Sequence, residues 1–230
     1  MTLYGVDLLW LADEEEVASF IADELVAGAR AGSAIALTGG ESPGRAYELA
    51  AEREPDWSGA MLWWGDDRAV PPEDERSNFR LAKEKLLEGL SRAPREVHRI
   101  HGELGAEEAA AAYDAELEGV RLDLVLLGIG PDGHAASLFP NQPTLEERSR
   151  RAIPAEAKLE PFVDRVTMTL PMLCSAPEVL FLVTGEAKAE AVERAFGQLP
   201  GPDTPSSLIR SAVGRTRVVA DAAAAARLRD

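Results

Sequence analysis

The segment LGIGPDGHAASLFP at 127–140 places a carboxylate, Asp132, two residues before a histidine, His134. The apolar run LDLVLLG just before it predicts a strand, so both side chains follow a strand end. A nearby carboxylate can hold an imidazole in one tautomer, and the histidine can then act as a general base near neutral pH. The alternative is a capped turn that carries a surface histidine, and for the isolated motif this alternative is the more common one. The other two histidines, His98 and His101, have no flanking glycines and are interpreted as structural.

The same segment spells G-x-G-x-x-G between Gly128 and Gly133, the written form of a dinucleotide-binding loop. Its surroundings do not fit that function. Asp132 would bring a negative charge toward a pyrophosphate, and the following helix, at most HAASLF, is cut short at Pro140. No strand ending in a carboxylate follows about 20 residues later, as the ribose contact requires. We therefore predict that the chain uses no dinucleotide, and indeed no cofactor.

A second glycine turn, TGGESP at 38–43, joins a predicted strand to a predicted helix. Ser42 is placed to cap this helix, and Pro43 to start it. The free N–H groups around Gly39 and Gly40, together with the helix dipole, predict an anion site. An ordinary strand-to-helix turn is the alternative.

Three charged residues follow other predicted strands. Asp66 and Arg68 come after MLWW, where Arg68 could hold a phosphate with two hydrogen bonds, or where both could belong to a solvated cluster. Lys188 follows VLFLVTG near a helix start and is either a second cation for an anionic ligand or an exposed lysine. The segment SNFR at 77–80 could line a polar site, or Ser77 could simply cap a helix.

Composition limits the partners. The 230 residues carry a formal net charge of −16, so most of the surface should repel nucleic acid and anionic lipid, and an anionic substrate needs a local cationic pocket. The single cysteine, Cys174, excludes an intrachain disulfide and suggests a reducing compartment. We find no signal peptide, no apolar run of membrane-spanning length and no cluster with metal-ligand spacing. We expect a cytoplasmic protein that needs no metal.

Apolar runs alternate with amphipathic segments along the whole chain, which predicts a mainly parallel α/β sheet with helices on both faces. The predicted helices include 12–31, 43–52 and a C-terminal one, and we expect one domain over 1–230. In such sheets ligands bind at the carboxyl ends of the strands, where the three glycine turns at 39–40, 65 and 128–133 fall.

Taken in order, five segments resemble the 6-phosphogluconolactonase family over nearly the whole chain. They are LTGGESPGRAYELA, WWGDDRAVPPEDERSNFR, LDLVLLGIGPDGHAASLFP, RVTMTLPMLCSAPEVLFLVTGEAKAEAV and PSSLIRSAVGRTRVVADAAAA. The resemblance implies a Rossmann-like fold shared with glucosamine-6-phosphate deaminases and ribose-5-phosphate isomerases. It also implies hydrolysis of 6-phosphoglucono-δ-lactone, the second step of the oxidative pentose phosphate pathway, without a metal.

The resemblance gives the candidate residues provisional roles. His134 would activate water, and Asp132 would orient His134 or help to position the sugar. The N–H groups of the 128–133 loop would stabilise the oxyanion. The residues expected to bind substrate or its phosphate are Gly39, Gly40, Ser42, Asp66, Arg68, Gly133 and Lys188. We expect no partner beyond the sugar-phosphate lactone, and a monomer or weak homodimer.

The sequence differs from the family pattern at two positions, and two alternative functions were weighed against the lactonase. Glu41 stands where the family has serine, and Asp67 where it has glutamate. A sugar-phosphate deaminase of the same fold would carry Asp-Gly-His-Ile-Ala-Phe-Asn-Glu-Pro where this chain reads DGHAASLFP, so a deaminase carboxylate is missing. A sugar-phosphate sensor without catalysis would need a DNA-binding helix-turn-helix, which the sequence lacks.

Overall fold

The computed structural model describes residues 2–40 and 42–228, which form two β-sheets and six α-helices within those ranges. The strands are β1 (Thr2–Leu3), β2 (Val6–Trp10), β3 (Ala34–Leu37), β4 (Met61–Trp64), β5 (Asp66–Arg68), β6 (Glu96–Val97), β7 (Leu124–Leu127), β8 (Ala152–Ala155), β9 (Arg165–Met168), β10 (Glu178–Val183) and β11 (Arg215–Ala220). The helices are α1 (Glu14–Ala31), α2 (Pro43–Arg53), α3 (Asn78–Lys85), α4 (Ala106–Glu116), α5 (Leu170–Leu173) and α6 (Ala189–Phe196).

The large sheet has the order β1-β2-β11-β10-β7-β3-β4-β6, and all its pairs are parallel except β1 with β2. Its central strands β3 and β7 are buried along their whole length. Continuous apolar runs suit such strands because helices cover both faces of the sheet. The predicted mainly parallel α/β fold is therefore confirmed.

The chain leaves β3 and β7 in opposite directions. From β3 it passes to β4 and β6 on one side, and from β7 to β10 and β11 on the other. Right-handed crossovers then put α2 and α6 on opposite faces of the sheet. A crevice opens between the carboxyl ends of two such strands, and this is where open α/β sheets bind ligands. The loops at Gly39–Gly40 and Gly128–Gly133 both lie there.

A small antiparallel sheet of β5, β9 and β8 was not predicted. From the sequence, Asp66 and Arg68 were expected directly after the MLWW strand, with no second sheet. Instead the chain leaves the large sheet after Trp64, and Asp66–Arg68 pairs with Arg165–Met168. Strand β8 was not predicted at all.

Three other elements differ from the sequence prediction. No helix forms over HAASLF, where Ala135 and Leu138 form an isolated bridge instead. The segment EVHRIH at 96–101 also predicts a short strand, of which only Glu96–Val97 forms. After β11, the described residues contain only the single 3₁₀ turn Ala226–Leu228 in place of a C-terminal helix.

Two buried tyrosines hold the ends of neighbouring strands. The Tyr47 hydroxyl donates to the carbonyl of Thr38 (2.6 Å) and accepts from its N–H (3.1 Å), directly after β3. Tyr113 does the same for Trp64, the last residue of β4 (3.0 and 2.9 Å). Both main-chain groups where the strand ends are thus satisfied by a side chain, which fixes the start of each functional loop.

Tyr47→Phe should lower the free energy of unfolding by about 1–3 kcal/mol, because the buried N–H and C=O of Thr38 lose the hydroxyl that bonds to both of them. Urea denaturation followed by circular dichroism measures this. Tyr4→Phe is the control, since Tyr4 is half exposed and its substitution should change stability by less than about 0.5 kcal/mol. Equal stability of wild type and Tyr47→Phe would show that the hydroxyl does not hold this strand end.

Candidate active site

A cavity of about 500 Å³ lies at the carboxyl ends of β3 and β7, and the small sheet forms one of its walls. Its polar and charged lining comprises Thr38, Asp66, Arg68, Asn78, His134, Glu160, Arg165 and Lys188. A volume of this size suits a small-molecule ligand. The structure therefore brings together candidates from four separate segments of the sequence.

His134 and Asp132 form a close pair at this cavity. His134 Nδ1 lies 2.6 Å from Asp132 Oδ1, and the same oxygen accepts the His134 main-chain N–H at 3.1 Å. Partial burial alone would raise the pKa of Asp132, but the hydrogen bond and charge of His134 outweigh it and hold that pKa below its ordinary value. An ionised Asp132 favours a proton on Nδ1, so Nε2 is the nitrogen left to accept a proton when the imidazole is uncharged.

The glycines of the G-x-G-x-x-G segment make room for this pair rather than for a pyrophosphate. A Cβ on Gly130 would lie 2.0 Å from His134 Nδ1, so only glycine lets the imidazole lie against the chain there. Gly133 has φ +92° and packs against Thr204, and a side chain would be strained at that position. Gly133 does not line the cavity of about 500 Å³, and its contact with substrate stays a prediction.

Two N–H groups of this loop are already engaged. Gly130 N–H donates to the carbonyl of His134 (2.8 Å), and Gly133 N–H donates to that of Gly130 (2.9 Å). The expectation that the loop offers its N–H groups to an oxyanion is therefore wrong for these two glycines.

Arg68 and Arg165 face each other across the small sheet as directly opposite residues of β5 and β9. Both line the cavity, and the Nε of each is buried without a hydrogen-bond partner. Among the described residues neither guanidinium has a carboxylate within ion-pair distance. Like charges placed opposite each other destabilise an antiparallel pair, so this arrangement favours an anion between them.

The two acids of the DDR segment are not a solvated cluster, because both are buried. Asp67 points away from the cavity and accepts hydrogen bonds from Ser77 Oγ and from the N–H groups of Asn78 and Phe79, at the start of α3. Burial raises the pKa of Asp67 to about 6 against the effect of these N–H donors. Asp66 instead lines the cavity.

Gly39, Gly40 and Lys188 line this cavity and also an adjoining one of about 680 Å³. Ser42 lies only on the second cavity, where its hydroxyl is 2.9 Å from that of Thr184. Contrary to prediction, its side chain makes no capping hydrogen bond to α2. Glu41, the departure from the family pattern, lies outside the described residues.

The remaining candidates lie elsewhere. The His98 ring stacks on Trp63 (3.9 Å) and pairs with Glu96 and Glu116 on the surface, and His101 pairs with Glu103. In residues 2–40 and 42–228 we find neither a cluster of three potential metal ligands nor a helix that could cross a membrane.

Two features of the cavity were not predicted from the sequence: Arg165 and the hydrogen bond from Asn78 to Asp66. In the sequence, Asn78 was marked only by the polar segment SNFR. Arg165 was marked only by its place at the start of RVTMTLP, one of the segments that resemble the family.

The family model for glucosamine-6-phosphate isomerases/6-phosphogluconolactonase matches residues 12–218, and the chain belongs to this family. A 6-phosphogluconolactonase of Mycobacterium leprae is 37% identical over 194 residues, which cover 78% of each chain. The human 6-phosphogluconolactonase is 36% identical over 212 residues, covering 87% of this chain and 82% of that one.

The fold of the chain is also similar to that of a solved 6-phosphogluconolactonase structure. The crystal structure of a 6-phosphogluconolactonase from Thermotoga maritima superposes with a TM-score of 0.82 at 26% identity, over 94% of this chain and 99% of that chain. The family name covers both isomerases and lactonases, so the fold alone does not choose between them.

Gly39→Ala should lower the free energy of unfolding by about 1–3 kcal/mol, because its Cβ would lie 1.8 Å from Oδ1 of the buried Asn78. Gly44→Ala is a matched control on α2, where the nearest atom, in Leu81, is 3.7 Å away, and it should leave stability unchanged or raise it by up to about 1 kcal/mol. Chemical denaturation of both variants tests the difference. Equal effects would mean that Asn78 moves freely out of the way.

Proposed function

We propose that the chain is a 6-phosphogluconolactonase that hydrolyses 6-phosphoglucono-δ-lactone with His134 as general base. The observation that carries this proposal is the His134–Asp132 pair in one cavity with Arg68 and Arg165. A base and a cationic wall within one cavity match a substrate with a lactone at one end and a phosphate at the other. The lactonases among its relatives support the same substrate.

The phosphate is assigned to the cationic part of the cavity. Arg68, Arg165 and Lys188 supply positive charge there, and the main chain at Gly39 and Gly40 forms the adjoining wall. Guanidinium groups bind phosphate oxygens through paired charge-assisted hydrogen bonds. In a protein of net charge −16, this cavity is where a dianion is best stabilised.

The reaction then follows from the orientation of the imidazole. Nε2 of neutral His134 takes a proton from water while the water oxygen attacks the C1 carbonyl carbon of the lactone. In the resulting tetrahedral intermediate, the imidazolium is stabilised by Asp132 through Nδ1–H. His134 returns the proton to the ring oxygen as the bond from C1 to that oxygen breaks, which releases the open-chain acid.

After the rate of the spontaneous reaction is subtracted, kcat of His134→Ala should be about 10²–10⁴-fold lower than that of wild type. This factor is the usual contribution of a general base. Freshly prepared 6-phosphoglucono-δ-lactone is the substrate, and product is measured with a 6-phosphogluconate dehydrogenase. His101→Ala is the control, because His101 lies outside the cavity on the surface.

Three outcomes separate the alternatives. A fast wild type with a nearly inactive His134→Ala supports both the lactonase and its base. Equal rates in both proteins would remove His134 from its role but keep the enzyme. A wild type no faster than the spontaneous reaction would contradict the lactonase, and deamination of glucosamine 6-phosphate would be tested next.

Arg165→Met should raise KM for the phosphorylated lactone about 10- to 100-fold, since hydrogen bonds to charged groups contribute roughly 1.5–3 kcal/mol. It should leave kcat/KM for unphosphorylated glucono-δ-lactone nearly unchanged. Thermal unfolding of the ligand-free variant should occur at the same or a higher temperature than wild type, because a repulsion across β5 and β9 is removed. Equal losses on both lactones would place the phosphate away from Arg165.

A further inference from the structure

The buried ring of Phe139 contacts two charged groups of the cavity, and the proposed mechanism does not use it. The centre of this ring is 4.8 Å from the centre of the His134 imidazole, with a tilt of 43° between the two planes. The guanidinium carbon of Arg165 lies over the same ring, 5.6 Å from its centre. Phe139 is 1% exposed and is not among the residues that line the cavity. One aromatic ring therefore lies against both the base and a cation of the phosphate end.

The loop after β7 is folded so that Phe139 returns to His134. In a regular helix, residues five positions apart lie about 140° apart around the axis, so the two rings would not meet. Instead Leu138 N–H donates to the carbonyl of Ala135 (3.1 Å), which closes an isolated bridge. Ala136 has φ +51°, a left-handed conformation that costs energy for a residue with a side chain. This turn brings the two rings into contact.

The ring is an unusual neighbour for the buried guanidinium of Arg165. Arg165 is 4% exposed, its Nη2 donates to the carbonyl of Pro161 (3.3 Å), and its Nε has no hydrogen-bond partner. Among the described residues no carboxylate lies within ion-pair distance of it. A carboxylate in place of the ring would neutralise the guanidinium and compete with a phosphate. An aromatic face attracts the cation without taking up its hydrogen-bond donors.

His134 becomes a cation only during the proposed reaction, when it accepts a proton from water. Asp132 then stabilises the imidazolium through Nδ1–H. A cation within about 6 Å of the centre of an aromatic ring is attracted by the electrons on its face, whereas an uncharged imidazole gains little from them. An interaction that forms only as the charge develops lowers the barrier and does not strengthen substrate binding.

We infer that Phe139 is a positioning residue with two effects. Its ring stabilises the imidazolium form of His134 during hydrolysis, and its bulk holds the guanidinium of Arg165 at the phosphate end of the cavity. The inference rests on the proposed function. The charge on the ring face should therefore affect kcat, and the presence of the ring should affect binding of the phosphate.

The first test replaces Phe139 with phenylalanines that carry one, two or three ring fluorines. Fluorine withdraws negative charge from the ring face and nearly preserves the shape of the ring. We expect kcat for 6-phosphoglucono-δ-lactone to fall with each fluorine, by about 2- to 30-fold over the series, while KM changes little. The same series at Phe181 is the matched control. Phe181 is buried against Phe196 (5.3 Å between ring centres) and does not line the cavity, so its fluorination should leave kcat unchanged.

The second test is Phe139→Leu, which removes the ring but keeps an apolar side chain. This variant should lose kcat as the most fluorinated ring does. It should also bind 6-phosphogluconate about 2- to 10-fold more weakly in calorimetry, because the guanidinium of Arg165 is no longer held in place. Thermal unfolding shows whether the variant folds, and the fluorinated proteins test the inference even if it does not.

The outcomes separate the two effects from each other and from the proposed function. If kcat does not depend on the number of fluorines, or depends on it equally at Phe139 and Phe181, the ring does not stabilise the imidazolium. If folded Phe139→Leu binds 6-phosphogluconate as wild type does, the ring does not position Arg165. If wild type hydrolyses no lactone, the proposed function fails and the effect on the imidazolium fails with it. The calorimetric comparison needs no turnover and still tests the contact with Arg165.

Discussion

One residue, Gly65, joins the two sheets and determines where the cavity can form. Its N–H donates to the carbonyl of Leu37 in the large sheet (3.0 Å), and its carbonyl accepts from the N–H of Met168 in the small sheet (2.8 Å). Because a single residue separates β4 from β5, the small sheet is held at the carboxyl edge of the large one. Alternate residues of a strand point the same way, so Asp66 and Arg68 share the cavity while Asp67 anchors α3 on the other side.

The cavity divides its chemistry among elements that are distant in sequence. The loop after β7 supplies His134 and Asp132, the two strands of the small sheet supply arginines, and α3 supplies a buried amide. Each group is oriented by backbone or by a buried neighbour, so little reorganisation is needed when a ligand binds. The acidic body around it makes the cationic wall the distinctive electrostatic feature of the molecule.

The features predicted from the sequence were the local ones. Asp132 and His134 are two residues apart, so their contact follows from a turn, and the apolar runs of β3 and β7 indicate buried parallel strands directly. The features that were missed depend on tertiary register. Nothing near Arg165 indicates that it faces Arg68, because two short strands far apart in the chain must pair first. Ser137 lies in a segment with a helical pattern, and only the absence of that helix brings its hydroxyl to Asp66.

The opposed arginines also link the stability of the fold to the binding of an anion. A folded protein that keeps two like charges together without an anion gives up part of its stability, and any ligand that binds only the native state restores it in proportion to the logarithm of its concentration. An anion that binds between Arg68 and Arg165 should therefore raise the free energy of unfolding, and a protease that cleaves only the unfolded chain should act more slowly in its presence.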